Sequence, residues 1–403
     1  MCERVRVLFS SFLDLKITTT ALARQHVDVN IRTWCHLHSV RNMLVPAAAA
    51  MLWASGLVAA LPPNEQGHPQ NFSHATLCAN RSSLCVVLLD VPPACTSGAC
   101  PILFCLHGFG GSNLRYSDLC GLQTHKSGWI GVYPQGDPLG KRPDGSLVPG
   151  WNDGQAVNPA STLLRCKYDD FNCDLDPNDG TFVAKIIATL REAGVSGRVY
   201  VFGQSNGADL AQRLAVNADK FALPIAGIAP QSSQLNNAPP RSAAGPYNLM
   251  QPRAGGPPVA QLSIHGTADN AIFYDGGSKF GSDIFTLFPE PASDAVWKRH
   301  NGCSGALTSA NVSLDYFPAT VEADNEVRVG GGEALQYPPP PPTVKGVATH
   351  WTWGGCPPEA PVEYYQSHGA GHVSTAGVGG HLLLAVVLEF FGRVERAWVA
   401  ANE

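Results

Sequence analysis

The pentapeptide Gly203-Gln204-Ser205-Asn206-Gly207 constrains this chain more than any other feature. It follows Gly197-Arg-Val-Tyr-Val-Phe202, a β-branched and aromatic run that reads as a buried strand. It precedes Ala208-Asp-Leu-Ala-Gln-Arg-Leu-Ala215, which has helical spacing. Gly-x-Ser-x-Gly between strand and helix dictates a sharp, strained turn with the serine hydroxyl at its tip. The Asn206 backbone N–H, at the start of the helix, then faces the position where an oxyanion would form. The five letters alone also fit an ordinary glycine turn, so the reading depends on partners elsewhere in the chain.

A nucleophilic serine on such a turn needs an acid and then a histidine further along the chain. Val259-Ala-Gln-Leu-Ser-Ile264 reads as a second strand, and Asp269 lies on the loop just past its end. Val362-Glu-Tyr-Tyr365 is a third, leading into Ser367-His-Gly-Ala-Gly-His372. Small residues around His372 let its ring approach Ser205. In this arrangement Ser205 attacks a carbonyl, His372 takes and returns the proton, and Asp269 holds the imidazole. His368 rivals His372 as base, and Asp275 and Asp283 rival Asp269 from further past the strand end. Upstream, Pro101-Ile-Leu-Phe-Cys-Leu106 reads as a strand followed by His107-Gly-Phe-Gly-Gly111. The Phe109 backbone is the expected second oxyanion donor, and His107 and His265 are expected to order their loops. Trp151 either lines a substrate cleft or fills the core. Gln204, beside the serine, is a candidate substrate contact.

These residues together resemble the secreted α/β-hydrolase esterases grouped with polyhydroxybutyrate depolymerases, feruloyl esterases and acetylxylan esterases. The likeness runs from about Leu84 to about Arg393. It also takes in Tyr133-Pro-Gln-Gly136, Asp179-Gly-Thr-Phe182, Tyr274-Asp-Gly-Gly277 and Trp297-Lys-Arg-His-Asn-Gly-Cys303. It implies an α/β-hydrolase fold, a mostly parallel sheet with helices on both faces, and an acyl-enzyme mechanism needing no metal or organic cofactor. The implied substrates are carboxylic esters, on polysaccharide or in a polyester. Feruloyl or acetyl esters are favoured, because no separate polyester-binding domain is evident. A catalytically silent secreted binding protein with the same fold is the reading from another class. The resemblance also implies a Cys303–Cys356 disulfide. The family usually carries a tryptophan soon after the catalytic histidine. Val373-Ser-Thr375 stands there instead, implying a differently shaped pocket.

A length of 403 residues fits one large domain with tails, and the net charge of −5, with no basic stripe, excludes a nucleic-acid footprint. The expected organisation is an N-terminal extension and signal peptide over 1–60, a poorly ordered segment over 61–83, a catalytic domain over 84–393 and a tail over 394–403. Met43–Ala60 is apolar and alanine-rich behind Arg41, as in a signal-peptide core, with cleavage after Ala60. Residues 1–42 precede it, which fits translation starting at Met43; an uncleaved anchor is the alternative. No stable membrane span is expected, and the protein reads as a monomer. Ten of the twelve cysteines follow Ala60, an even number that suits extracellular disulfides. Cys166 and Cys173 can close a small loop; Cys78, Cys85, Cys95, Cys100, Cys105 and Cys120 share the remaining pairings. Zinc at Cys95 and Cys100 is disfavoured by spacing. Sequons at Asn71, Asn80 and Asn311 fit a glycosylated protein. Calcium at the acidic stretch Asp153–Asp179 is less expected than helix capping by Asp179. Residues 238–258, rich in proline, glycine and alanine, read as a surface insertion near the site, and Pro338–Pro342 as a stiff polyproline loop.

Overall fold

The computed structural model describes residues 61, 69–72, 77–78, 85–95, 98–141, 147–152, 167–168, 171–172, 179–237, 251–253, 255–279, 287–317 and 343–403. The segment 43–60, Asn80, Cys166, Cys173, Asp283, the polyproline run and most of the acidic stretch lie outside them.

Twelve strands among the described residues form one sheet. In chain order they are β1 (Gln70–Asn71), β2 (Val87–Asp90), β3 (Ile102–Leu106), β4 (Ile130–Pro134), β5 (Val199–Gln204), β6 (Ile225–Gln231), β7 (Ala260–Gly266), β8 (Leu307–Tyr316), β9 (Val344–Trp353), β10 (Val362–Ser367), β11 (Thr375–Val378) and β12 (His381–Leu382). Their spatial order is β1-β2-β4-β3-β5-β6-β7-β10-β9-β8-β11-β12. The run β4-β3-β5-β6-β7-β10 is parallel. Antiparallel strands extend it at both edges. This is the α/β-hydrolase arrangement, with β2 reversed beside β4 and the serine turn at the end of a central strand.

The strands β3, β4, β6 and β7 are buried along their whole length. The largely apolar runs of β3, β4 and β6 follow from helices covering both faces, whereas β7 alternates, its buried Gln261, Ser263 and His265 bonding to Asp294 and Glu290. The helices are α1 (Asn113–Lys126), α2 (Asp179–Glu192), α3 (Asn206–Val216), α4 (Ala218–Phe221), α5 (Glu290–His300) and α6 (Leu383–Asn402). On one face Tyr116 of α1 and Val387, Phe390 and Phe391 of α6 pack with Leu103, Tyr200, Phe202, Leu262 and Ile264. On the other, α3 lies against β5 and β6, and α5 lies against β7 and β10. The Trp297 indole N–H of α5 reaches Gln212 Oε1 of α3 at 3.4 Å. Phe182, Ile186 and Leu190 of α2 are buried.

Two stretches pack more extensively than the sequence reading expected. Within 61–83, Leu61 and Leu77 are buried and Gln70–Asn71 pairs with β2. These residues are therefore packed rather than poorly ordered. Residues 394–402 continue α6, because the helical repeat runs on through buried Val394 to Trp398, over which the Arg198 guanidinium sits at 5.1 Å. The described end of the 238–258 insertion is anchored by the His300 ring, bonded to Arg253 O and Pro257 O. That anchor is at the start of β7, the opposite end of the strand from Asp269.

Four disulfides join described cysteines: Cys78–Cys85, Cys95–Cys100, Cys105–Cys120 and Cys303–Cys356. Cys105–Cys120 ties β3 to α1. Cys303–Cys356 ties the residues after α5 to the turn after β9. No described helix is long and apolar enough to cross a membrane.

Candidate active site

The turn between β5 and α3 is forced by its sequence. A Cβ on Gly203 would lie 2.2 Å from Gly207 O, and one on Gly207 would lie 2.4 Å from Leu106 O and 2.5 Å from His107 O. Only glycine lets the turn close on itself and against the end of β3. Ser205 is thereby driven to φ 51° and ψ −121°, a sparsely populated region for a residue with a side chain. Serine at a helix N-cap normally accepts a hydrogen bond from the first turn. Here it makes no such bond, and its hydroxyl donates to His372 Nε2 at 2.8 Å.

His372 Nδ1–H in turn donates to Asp269 Oδ2 at 2.8 Å. The structure thus brings together Ser205, His372 and Asp269, each on a loop at the C-terminal end of a parallel strand. His368 is exposed, and its Nε2 bonds Thr349 Oγ1 at 2.8 Å, away from Ser205. Asp275 lies further along the loop after β7 and takes no part in this chain of hydrogen bonds.

Asp269 is buried and carries four donors. Its Oδ1 accepts the Ala271 and Ile272 amides at 2.8 and 2.9 Å. Its Oδ2 accepts His372 and also His265 Nε2, at 3.1 Å. Burial alone would raise its pKa; the hydrogen bonds from the two imidazoles outweigh that and hold the carboxyl well below the usual range.

The loop after β3 lies against the serine: a Cβ on Gly108 would be 3.4 Å from Ser205 Cβ. His107 holds this loop from beneath. Fully buried, it donates from Nδ1 to Gly108 O at 2.8 Å, while Nε2 accepts the Gly136 amide at 2.9 Å and the Gln135 side chain at 3.0 Å. Burial lowers its pKa to about 4, against the Gly108 bond, so the ring is neutral. The Gly110 amide donates to Pro149 O at 2.7 Å, and Phe109 stands exposed at the loop tip.

Trp151 does not line a cleft. It is fully buried, because its indole N–H is committed to His107 O at 2.7 Å. Its backbone is clamped by Asn206, whose Nδ2 donates to Trp151 O at 2.9 Å and whose Oδ1 accepts the Trp151 amide at 2.6 Å. Trp151 thus ties the loop after β3 to the start of α3. Gln204 is not directed at a substrate either. Its side chain is held within the protein, accepting from Tyr116 Oη and donating to Gln231 Oε1.

Several site residues escaped the sequence reading. Gln231, at the end of β6, accepts the Ser205 amide on its carbonyl at 2.9 Å, and its side chain donates to Thr375 O at 3.2 Å. Ser232 accepts the Val373 amide at 3.0 Å. Both Ser232 and Val373 have positive φ, at 57° and 47°. For β-branched Val373 that conformation is an outlier, and it immediately follows His372. Glu290 was missed as the partner of His265: its Oε2 is 2.7 Å from His265 Nδ1. Sequence spacing carries no signal for contacts between separate loops and helices of this kind.

Cys95 and Cys100 are bonded to each other, and no group of three potential metal-ligating side chains occurs among the described residues. Asp179 Oδ2 accepts the Asn152 amide at 2.7 Å. Asn71 and Asn311 are exposed, on β1 and β8.

No protein-family model matches the sequence, and no curated protein matches it. Solved structures do match. An acetyl xylan esterase from Aspergillus awamori aligns over 81% of this chain and 99% of its own, at 13% identity and a TM-score of 0.43. The LpqC poly(3-hydroxybutyrate) depolymerase from Bordetella parapertussis aligns over 62% and 83%, at 14% identity and 0.37. An S-formylglutathione hydrolase from Agrobacterium tumefaciens aligns over 59% and 86%, at 14% identity and 0.34. At such low identities and TM-scores the likeness carries no argument about chemistry.

Proposed function

We propose that this chain is a serine carboxylic ester hydrolase. The observation that carries the reading is the continuous hydrogen-bonded chain Ser205–His372–Asp269, with Ser205 on a strained turn and its hydroxyl withheld from helix capping. His372 Nε2 takes the Ser205 proton as Oγ attacks the ester carbonyl. The developing oxyanion is met by the backbone N–H groups of Phe109 and Asn206. His372 then returns the proton to the leaving alkoxide, giving an acyl-enzyme on Ser205. Water, deprotonated by the same imidazole, releases the acid. Asp269 stabilises the imidazolium in both halves without itself accepting a proton.

The substrate reading is a feruloyl or acetyl ester of plant polysaccharide, with a hydroxyalkanoate polyester as the alternative. The exposed Phe109 ring, on the loop that lies against Ser205, supports an apolar or aromatic contact at the scissile ester. The four disulfides support an extracellular setting. The catalytic unit comprises the domain from residue 84 together with the packed Leu61, Leu77 and β1 before it and all of α6.

Hydrolysis of methyl ferulate, acetylated xylan and a short hydroxybutyrate oligomer, each with Ser205→Ala as control, tests the reading. Turnover of one of the three is expected, falling by roughly 10⁶-fold in the variant. Equal turnover by the variant, or none on any ester by folded protein, would overturn it.

A further inference from the structure

We infer that His265 is a positioning residue for this reaction: held between Glu290 and Asp269, it extends the Ser205–His372–Asp269 chain by two buried groups and places a fixed imidazolium behind the acid. The inference rests on the esterase reading of the same site and deepens it.

The protonation state follows from hydrogen-bond accounting. Glu290 Oε2 lies 2.7 Å from His265 Nδ1. Asp269 Oδ2 and Ile272 O lie 3.1 and 3.0 Å from Nε2. Every partner is an oxygen acceptor, two of them carboxyl oxygens. Against ionised carboxylates, a neutral ring would turn a nitrogen lone pair towards one of these sides in a fully buried site. Both nitrogens therefore carry protons. Burial opposes the charge, but the bonds to Asp269 and Glu290 outweigh it and push the imidazole up to about 10.

The surroundings assign the charges. Glu290 is the first residue of α5, where the helix N-terminus favours an anion. Asp294, one turn further along α5, is also buried. Burial and then Glu290 push it well above the usual carboxylate range, and it accepts from Gln261 and Ser263 on Oδ1. Asp294 is thus engaged by Gln261 and Ser263, and Glu290 is the carboxyl that contacts His265 directly. Tyr274 meets the His265 ring edge-on at 5.6 Å, and Tyr364 of β10 faces the two α5 acids. Both are neutral phenols, their ionisation pushed up chiefly by burial.

The arrangement has two consequences. Asp269 cannot rotate away from His372, because the oxygen it offers is also tethered to His265. A permanent positive charge next to Asp269 also disfavours a second one on His372.

The pH profile of kcat/KM for the unchanged protein and for His265→Gln separates this from a merely structural role. The glutamine side chain fills similar space and can donate one bond but carries no charge. The variant's acid limb should move to higher pH by about one unit, since a charge within about 4–6 Å shifts a titration by about that much or more. If the variant does not fold, ¹⁵N NMR of histidine-labelled unchanged protein decides. Both His265 nitrogens should read as protonated, without titrating, from pH 5 to 8. An unmoved acid limb in an active variant, or one unprotonated His265 nitrogen, overturns the inference and leaves the esterase reading standing. An unchanged protein that neither hydrolyses esters nor labels at Ser205 overturns both.

Discussion

Much of the site's precision resides in single atoms. Gly207 is the clearest case, because an added Cβ would press on two carbonyls, Leu106 O and His107 O, at 2.4 and 2.5 Å. Gly207→Ala should cost about 1–3 kcal/mol of stability by overpacking. It should also lower turnover by on the order of 10²-fold by displacing the loop that carries the Phe109 amide. Thermal unfolding and ester kinetics on one sample check both, and wild-type turnover would show that the close approach is unimportant. Ser232→Ala makes a second test. It removes the acceptor for the Val373 amide, leaving that group unpaired beside His372 at a cost of about 1–3 kcal/mol. The account expects a fall in kcat with little change in KM, because the base is misplaced while substrate contacts remain. What could be read from the letters divides along the same line. The juxtaposition of Ser205, Asp269 and His372 was legible because each follows a strand-like run in the expected order. Gln204 was read as a substrate contact, and Trp151 was left between cleft and core, because a residue's neighbours in sequence do not reveal which way its side chain is tethered. Ser232, Val373 and Glu290 left no pattern at all, since their roles depend on contacts between loops and on left-handed backbone.

At the level of elements, two loops are each organised by a buried histidine, and the two are biased in opposite directions. His107, beneath the loop after β3, is held neutral, with its value lowered to about 4. Its contribution to stability is complete above the ordinary imidazole value of 6.5 and is lost as the pH falls through about 4. His265, beneath the loop after β7, is held charged, at about 10. Its contribution is complete below 6.5 and is lost as the pH rises through about 10. The two contributions coincide near pH 6.5, so the unfolding temperature should peak near that pH and fall on both sides. His107→Asn should flatten the acid side alone. A stability unchanged between about pH 4 and 6.5 in the unchanged protein would contradict this assignment. The parallel strands and the helices on them were legible because most of the buried strands are largely apolar and bounded by turns, and the helices are amphipathic. The β8–β9 hairpin was not. Its strands are largely exposed along β8, carry serine, threonine and asparagine, and are held by backbone pairing that periodicity does not register.

At the scale of the whole molecule, two of the described disulfides tie separate elements together, Cys105–Cys120 joining β3 to α1 and Cys303–Cys356 bridging the ends of α5 and β9. Cys303–Cys356 closes the longest of the four loops, with a sequence separation of 53 residues, and joins the end of α5 to the β9 turn. Replacing both cysteines by alanine should destabilise the fold by about 2–4 kcal/mol. Because α5 also carries Glu290, the pair's removal should loosen the support behind Asp269 before it disturbs Ser205. Denaturant unfolding and the pH profile of turnover check this together; unchanged stability in the double variant would count against it. The fold's overall plan was readable from the serine turn and its flanking strands. The extra antiparallel strands beyond β10 and the full length of α6 came only from the packing.

The central claim is that His372 makes Ser205 nucleophilic. The most direct measurement is labelling by a fluorophosphonate, with the modified residue located by peptide mass, in unchanged protein and in His372→Ala. The account predicts stoichiometric labelling at Ser205 that falls by several orders of magnitude in the variant. A folded protein that does not label, or that labels at Ser205 equally fast without His372, would contradict it.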